Sequence, residues 1–138
     1  KKTQETPTRN QSQNEADRAV YKRRFEQALR LKEGGRIDDA IRLLERLTRE
    51  HSKLAPAFLL LAGIYRDQKR FAEAAECFRV VTRLAPDSEV GSLGVFYSLW
   101  QLGELEEALE EMRSFLASHE SQEYERLLRQ LKLDSTTN

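Results

Sequence analysis

Residues 55–88 read APAFLLLAGIYRDQKRFAEAAECFRVVTRLAPDS, and this stretch decides the fold. Its pattern recurs 34 residues earlier and 34 residues later in the chain. The dipeptide Glu73-Ala74 has counterparts in Asp39-Ala40 and Glu107-Ala108, and apolar residues fill matching slots around all three. A fixed period of this length indicates repeated supersecondary units that stack on their neighbours. The matched apolar sets are Leu31, Tyr65 and Leu99; Ile37, Phe71 and Leu105; Leu44, Phe78 and Met112; and Leu47, Val81 and Phe115.

Each repeat contains two amphipathic helices joined by a short turn. In the middle repeat, Leu61 and Tyr65 share one helical face, as the helical period requires. Gly35 and Gly103 follow two of the first helices and suit the left-handed backbone that ends a helix, while Lys69 holds the equivalent slot between them. The pattern predicts seven helices, at residues 16–34, 37–50, 55–68, 71–84, 88–102, 105–118 and 121–133.

The two ends of the chain differ from the repeats. Residues 1–13 are rich in Gln, Asn and Thr and carry almost no apolar side chain, which predicts a disordered polar tail. Residues 134–138 are expected to fray. Between them, residues 14–133 are expected to form a single domain. Its three repeats are predicted at about 21–54, 55–88 and 89–122.

The helix at 121–133 is expected to cap the last repeat. A final helix pair would otherwise expose an apolar face to water, and the apolar side of this helix can cover that face. The covering residues are Tyr124, Leu127, Leu128 and Leu131. The residues expected to face water are Glu123, Glu125, Arg126 and Arg129.

Composition argues against two classes of partner. Lys+Arg and Asp+Glu both number 23, so the formal net charge is zero, whereas a general nucleic-acid binder carries a basic surplus. The longest uncharged apolar stretch runs from Leu54 to Tyr65 and is too short to span a membrane. The single cysteine, Cys77, cannot form an internal disulfide, which favours a cytoplasmic location. Lys1 is not a natural start, so removal of a targeting segment stays open.

The sequence shows no convergent set of catalytic residues. His51 and His119 lie two repeat lengths apart, so they occupy equivalent turns and cannot meet as a pair. Cys77 lies in mid-helix without a histidine at helical spacing, which favours a packed thiol. The sixth helix is acidic but has no other type of ligand, which favours a solvated face over a metal site. Its acidic residues are Glu106, Glu107, Glu110 and Glu111. We therefore expect no enzyme activity, no metal and no cofactor.

The chain resembles the tetratricopeptide (TPR) repeat family over about residues 21–122. The resemblance rests on the period and on small residues at repeat positions 8 and 20. Those small residues are Ala28 and Ala62, and Ala40, Ala74 and Ala108. Phe96 departs from the small residue at position 8, and Ser92 departs from the large apolar residue common at position 4. The resemblance implies an all-α fold, a right-handed α-solenoid of three TPR helix–turn–helix repeats with a C-terminal capping helix.

In this family the first helix of each repeat lines a concave groove, and the resemblance therefore implies which residues meet a partner. These residues form three stripes, one on the first helix of each repeat. Each stripe is displaced by one residue along the sequence from the residues that the helix is expected to bury. The stripes are Phe25, Leu29 and Lys32; Leu59, Gly63 and Arg66; and Leu93, Tyr97 and Trp100. Packing against neighbouring first helices is the alternative for Leu59 and Leu93, and contact with the terminal helix is the alternative for Trp100. Some family members bind the acidic C-terminus of heat-shock chaperones through a clamp of Lys and Asn. That clamp is missing here, because its slots hold Phe25, Leu29, Gly63, Leu93 and Tyr97.

The favoured function is a protein–protein interaction module, such as an adaptor, chaperone-like protein or scaffold, that binds a partner peptide or helix in an apolar groove. Two alternatives stay open: a scaffold that self-associates end to end, and a regulatory fragment of a larger protein. Residues 21–54 contain ten basic and six acidic residues, whereas residues 89–122 contain one basic and seven acidic residues. Such opposite charges would orient a bound segment or promote head-to-tail self-association.

Overall fold

Helices form all the regular secondary structure between residues 9 and 136. The computed structural model describes these residues, and the side chains of residues 10–132. The helices are α1 (Arg9–Glu33), α2 (Ile37–Glu50), α3 (Ala55–Asp67), α4 (Phe71–Leu84), α5 (Glu89–Gln101), α6 (Leu105–Leu116) and α7 (Gln122–Thr136). The predicted bounds of α2 to α6 are confirmed to within two residues. Within this part of the chain, no helix combines the length and apolar character that a bilayer crossing needs.

Both terminal helices are longer than the sequence predicted. α1 begins at Arg9, so the last residues of the predicted 1–13 tail are helical, and residues 1–8 lie outside the described residues. The composition argument was wrong there because an existing helix adds one hydrogen bond for each residue it gains, even without burial. α7 continues to Thr136, past the predicted end at 133, and residues 137–138 of the predicted frayed end lie outside the described residues.

The same turn follows α1, α3 and α5. In each turn a backbone N–H donates to the carbonyl five residues earlier, which is the longer hydrogen bond of the Schellman motif. The donor and acceptor residues are Arg36 and Leu31, Arg70 and Tyr65, and Glu104 and Leu99, at 2.8, 2.8 and 2.9 Å. The residue before each donor is left-handed, with φ of 80° at Gly35 and Gly103 and 62° at Lys69. Lys69 therefore adopts the glycine conformation that the other two turns use.

Two compact units divide the chain between Ser52 and Lys53. In the first unit α1 packs against α2, and Ala28 and Ala40 have no exposed surface, as expected of small residues where two helices approach closely. Arg24 of α1 and Glu50 of α2 form an ion pair. The extent of one domain over residues 14–133 stays a prediction.

In the second unit α3 packs on α4, α4 on α5 and α5 on α6, and α3 also meets α5. Gly94 of α5 lies so close to α4 that a Cβ atom there would come within 2.3 Å of the Phe78 ring. The small residue that allows this approach is therefore Gly94, while Phe96, two residues later, is buried with its ring against Tyr124 of α7. The fold is all-α and built from helix–turn–helix repeats, as predicted.

Candidate functional site

The exposed side of α5 carries four large apolar residues on one helical stripe. The helix begins after Ser88, whose Oγ accepts the backbone N–H of Gly91 at 3.0 Å and so caps its first turn. We call the four residues the α5 stripe: Val90, Leu93, Tyr97 and Trp100. Val90 is 59% exposed, Tyr97 is 36% exposed, and Leu93 and Trp100 are half-buried. Each of these four side chains therefore keeps some of its surface exposed.

Val90 was not among the predicted site residues. It lies one helical turn before Leu93 and is the most exposed of the large apolar residues found exposed between residues 10 and 132. The sequence could have indicated Val90 as a site residue. The spacing of three, four and three residues along Val90, Leu93, Tyr97 and Trp100 is that of the apolar positions in a coiled-coil heptad.

Tyr97 is tied to α7 at the edge of the α5 stripe. Its hydroxyl donates to Oε1 of Glu123 at 2.9 Å, and Arg126 donates to both oxygens of the same carboxylate, at 2.6 and 3.1 Å. Burial and the hydrogen bond to Glu123 raise the pKa of Tyr97. The hydrogen bonds from Arg126 and Tyr97 lower the pKa of Glu123 to about 2, so this carboxylate is ionised at neutral pH. Glu123, expected to face water, instead binds a site residue.

Trp100 belongs to an aromatic cluster that joins α5 to α7. Its ring stacks on that of Phe96, with centroids 5.6 Å apart and planes 25° from parallel. The Phe96 ring meets Tyr97 at 5.3 Å and Tyr124 at 5.7 Å, edge on in both cases. The buried Phe96 therefore supports both aromatic residues of the stripe from beneath.

α7 is anchored by Tyr124, which has no exposed surface. Its hydroxyl lies 2.7 Å from Oγ of Ser92, and Ser92 donates to Glu111 of α6 at 2.9 Å. Burial raises the pKa of Tyr124. Burial also raises the pKa of Glu111, although the hydrogen bond from Ser92 and the positive charge of Arg79 act to lower it. Ser92, which departs from the family pattern at repeat position 4, thus forms the hydrogen bond that holds Tyr124 against α5.

The capping role predicted for α7 is supported most clearly by Tyr124, which is the one fully buried residue among the four expected to cover the last repeat. Leu127, Leu128 and Leu131, which were expected to share it, are only half-buried. Among the residues expected to face water, Glu125, Arg126 and Arg129 are exposed as predicted.

The remaining predicted site residues lie on α1 and α3. On α3, Leu59 and Gly63 are half-buried and Arg66 is exposed, with its guanidinium 3.8 Å from the point where a Cβ of Gly63 would lie. On α1, the stripe of Phe25, Leu29 and Lys32 is half-buried. Each trio therefore lies on one helix, and none of the nine residues is fully buried. A groove that joins all three trios stays a prediction.

The two histidines considered for catalysis lie elsewhere and pack against aromatic rings. The His51 ring meets Tyr21 at 4.8 Å, and the His119 ring stacks on Phe115 at 4.9 Å. Between residues 9 and 136, no three His, Cys, Asp or Glu residues are grouped as metal ligands would be. A surface pocket of about 540 Å³ does lie on the opposite side of α5 from the stripe. Its lining includes Glu107, Glu110 and Glu111, with Val95 and Leu99.

Residues 25–89 match the model of the tetratricopeptide repeat family. Among curated proteins, the chain is 36% identical over 66 residues to intraflagellar transport protein 70A of Danio rerio. That match covers 48% of this chain and 10% of the relative. The chain therefore spans about a tenth of the length of this relative.

Solved structures share the fold over most of the chain. The first TPR of Spaghetti (RPAP3), bound to the HSP90 peptide SRMEEVD, is similar with a TM-score of 0.66 and 18% identity, covering 82% of this chain and 90% of that one. The MamA R50E mutant is similar with a TM-score of 0.63 and 22% identity, covering 72% and 73%. Identities this low show a common fold alone. Residues 25–89, which match the family model, are therefore a tetratricopeptide repeat segment, and the solved structures show the same fold over most of the chain.

Proposed function

We propose that this chain is a non-catalytic protein-interaction module whose α5 stripe receives an amphipathic helix of a partner protein. The observation that carries the proposal is a row of apolar residues that α5 leaves exposed or half-buried while its opposite side is already fully packed. That opposite side includes Gly91, Gly94, Val95, Ser98 and Leu99, all buried. A helix needs one apolar side to pack in its own protein, so a second one indicates a partner.

The spacing of the stripe favours a helical partner over an extended one. Val90, Leu93, Tyr97 and Trp100 occupy the a and d slots of a heptad, which pack against the same slots of a second helix. At about 1.5 Å per residue, the stripe runs for about 15 Å, or nearly three helical turns. A partner helix of two to three heptads would cover it.

Most of the affinity is expected from the aromatic end of the stripe. Tyr97 and Trp100 are the residue types that most often dominate binding energy, because a large ring covers much surface while losing little conformational freedom. Both are already held by neighbours, Tyr97 by Glu123 and Trp100 by Phe96. Preorganised rings of this kind lower the entropic cost of association.

The ligand differs in our proposal from the acidic peptide of the RPAP3 complex. That peptide reads SRMEEVD, whereas the slots at which some family members hold the Lys and Asn clamp carry Phe25, Leu29, Gly63, Leu93 and Tyr97 in this chain, and the cations of the predicted groove are limited to Lys32 and Arg66. Residues 89–122 carry seven acidic residues and one basic residue, which would attract a partner helix with basic flanks. We expect SRMEEVD to give no measurable binding, and association with a basic amphipathic helix to slow as salt is raised.

The test is selection of partner helices followed by paired variants. Amphipathic helices of about three heptads, displayed as a library, would be selected against the intact chain, and affinities measured by fluorescence anisotropy. Replacing Tyr97 and Trp100 together by alanine should weaken binding by about 30-fold or more, the loss typical of an interface centre. Replacing Leu102 and Leu105 by alanine is the matched control, since these leucines are 41% and 44% exposed outside the stripe. Equal affinities for both double variants, with circular dichroism unchanged, would place the binding site elsewhere.

Self-association is the second candidate, favoured by the opposite charges of residues 21–54 and 89–122. End-to-end contact between copies would bring a basic region to an acidic one. Light scattering across a range of concentrations separates the two functions. A mass that rises with concentration and falls with salt supports assembly, and a constant monomer mass removes it.

A further inference from the structure

Adjacent residues of α7 reach α5 by two separate hydrogen bonds. At the surface, the carboxylate of Glu123 accepts the hydroxyl of Tyr97 at 2.9 Å. Inside, the hydroxyl of Tyr124 lies 2.7 Å from Oγ of Ser92. The inner bond is buried and fixes where α7 lies on α5, so the outer one holds its acceptor beside the α5 stripe.

We propose that α7 forms one wall of the partner-binding surface, and that Glu123 is a positioning residue that holds the Tyr97 ring in the orientation a partner helix meets. This inference rests on the proposed function of the α5 stripe and deepens it. It gives α7 a part in recognition in addition to covering the last repeat.

Glu123 is itself held in place by Arg126. The guanidinium donates from Nη2 to Oε1 and from Nε to Oε2, so both carboxylate oxygens are engaged. Glu123 remains ionised at neutral pH because Arg126 and Tyr97 keep its pKa at about 2. A charged acceptor forms a stronger hydrogen bond with a phenol than a neutral one does. Tyr97, Glu123 and Arg126 therefore form a preassembled edge of the surface.

This edge also determines what Tyr97 offers a partner. Its single hydroxyl proton is directed to Glu123, so the ring presents apolar surface and no free donor. A partner would meet it with an aliphatic or aromatic side chain. A ring already restricted before binding loses less freedom in the complex, which is how a residue such as Glu123 can raise affinity without touching the partner.

The experiment compares two alanine variants on the same turn of α7. Glu123 and Glu125 both lie in its first turn, so Glu123→Ala and Glu125→Ala lose the same favourable interaction with the helix dipole. Glu125 is exposed, and its replacement serves as the control. With the selected helix as probe, we expect Glu123→Ala to weaken binding by about fivefold, the net effect typical of one hydrogen bond, and Glu125→Ala to leave it unchanged.

A double-mutant cycle tests whether Glu123 acts through Tyr97. Tyr97→Phe removes the hydroxyl from the other end of the bond, so it should weaken binding about as much as Glu123→Ala, and the double variant should lose no more than either. A second readout is the titration of Tyr97, followed by fluorine NMR of protein containing 3-fluorotyrosine and assigned with Tyr97→Phe. Glu123→Ala should lower the pKa of Tyr97, and Glu125→Ala should not.

The possible results separate this inference from the proposed function. If Glu123→Ala binds like the wild type while Tyr97→Ala loses affinity, the positioning role is overturned and the α5 stripe stands as the site. Additive losses for Tyr97→Phe and Glu123→Ala also overturn it, because the two residues would then act independently. If Tyr97→Ala itself leaves affinity unchanged, the failure lies in the proposed function.

Discussion

Replacing Gly94 by alanine should destabilise the second unit, even though alanine is the better helix former. The added Cβ would lie 2.3 to 2.5 Å from three ring atoms of Phe78, far inside the 3.5–4.0 Å of an ordinary carbon contact. Phe78 is 1% exposed, so its ring cannot move aside into solvent. Overpacking of this severity costs about 3 kcal/mol, and the helix preference of alanine over glycine returns about 1 kcal/mol. The expected net loss is about 2 kcal/mol.

Gly63→Ala is the matched control, on the equivalent first helix of the preceding repeat. Its Cβ would meet nothing nearer than Nη2 of Arg66 at 3.8 Å, the mobile end of an exposed side chain. Without a clash, the same substitution should stabilise the protein by about 0.5–1 kcal/mol. The same substitution is thus expected to lower the free energy of unfolding at position 94 and to raise it at position 63.

Urea unfolding measures both variants. Circular dichroism reports the helices, and fluorescence of Trp100, the single tryptophan, reports α5 itself. Phe78→Leu in the Gly94→Ala background should recover part of the loss, because the two residues are coupled through one contact. A Gly94→Ala protein as stable as the wild type, or Gly63→Ala and Gly94→Ala shifts of the same sign, would refute the close approach of α4 and α5.

Three further predictions concern stability. Burial raises the pKa of Glu111, so ionisation of this carboxyl lowers the free energy of unfolding as pH rises through the raised pKa. Urea unfolding should therefore show Glu111→Gln to be more stable than the wild type at pH 7, and the difference should vanish in acid. A difference that does not depend on pH would contradict this. Tyr124→Phe should lower the free energy of unfolding by about 1 kcal/mol by deleting the hydrogen bond to Ser92, and an unchanged value would show that this bond contributes nothing. Lys69→Gly should raise it by about 0.5–1 kcal/mol, because glycine adopts a positive φ without strain; a thermal melt no higher than that of the wild type would count against strain there.

The helix bounds could be predicted because the signals that set them are local. The turns after α1 and α5 carry Gly35 and Gly103, and the period placed the third turn at Lys69 although no glycine marks it. Outside residues 21–122 the repeat comparison gives no guide to helix bounds, and there the predicted bounds were wrong, with α1 beginning at Arg9 and α7 reaching Thr136.

Helical spacing could predict which candidate site residues share one face of a helix, but not which residues of other helices they contact. Spacing placed Leu93, Tyr97 and Trp100 on one stripe, and the same rule would have added Val90. It could not reveal the partners of Tyr97 and Tyr124, because those contacts join residues 26 and 32 positions apart, on helices whose relative rotation the sequence does not state. Side-chain hydrogen bonds between distant helices depend on packing, which no repeat pattern encodes.

The three turns have a consequence for how such a protein can change over evolutionary time. Each is closed by hydrogen bonds that begin and end within six consecutive residues, from Leu31 to Arg36 and at the two equivalent places. A gene segment that encodes 34 residues could therefore be duplicated or deleted without breaking any of these closures. Repeat number is then free to vary between related genes, while surfaces such as the one on α5 diverge independently.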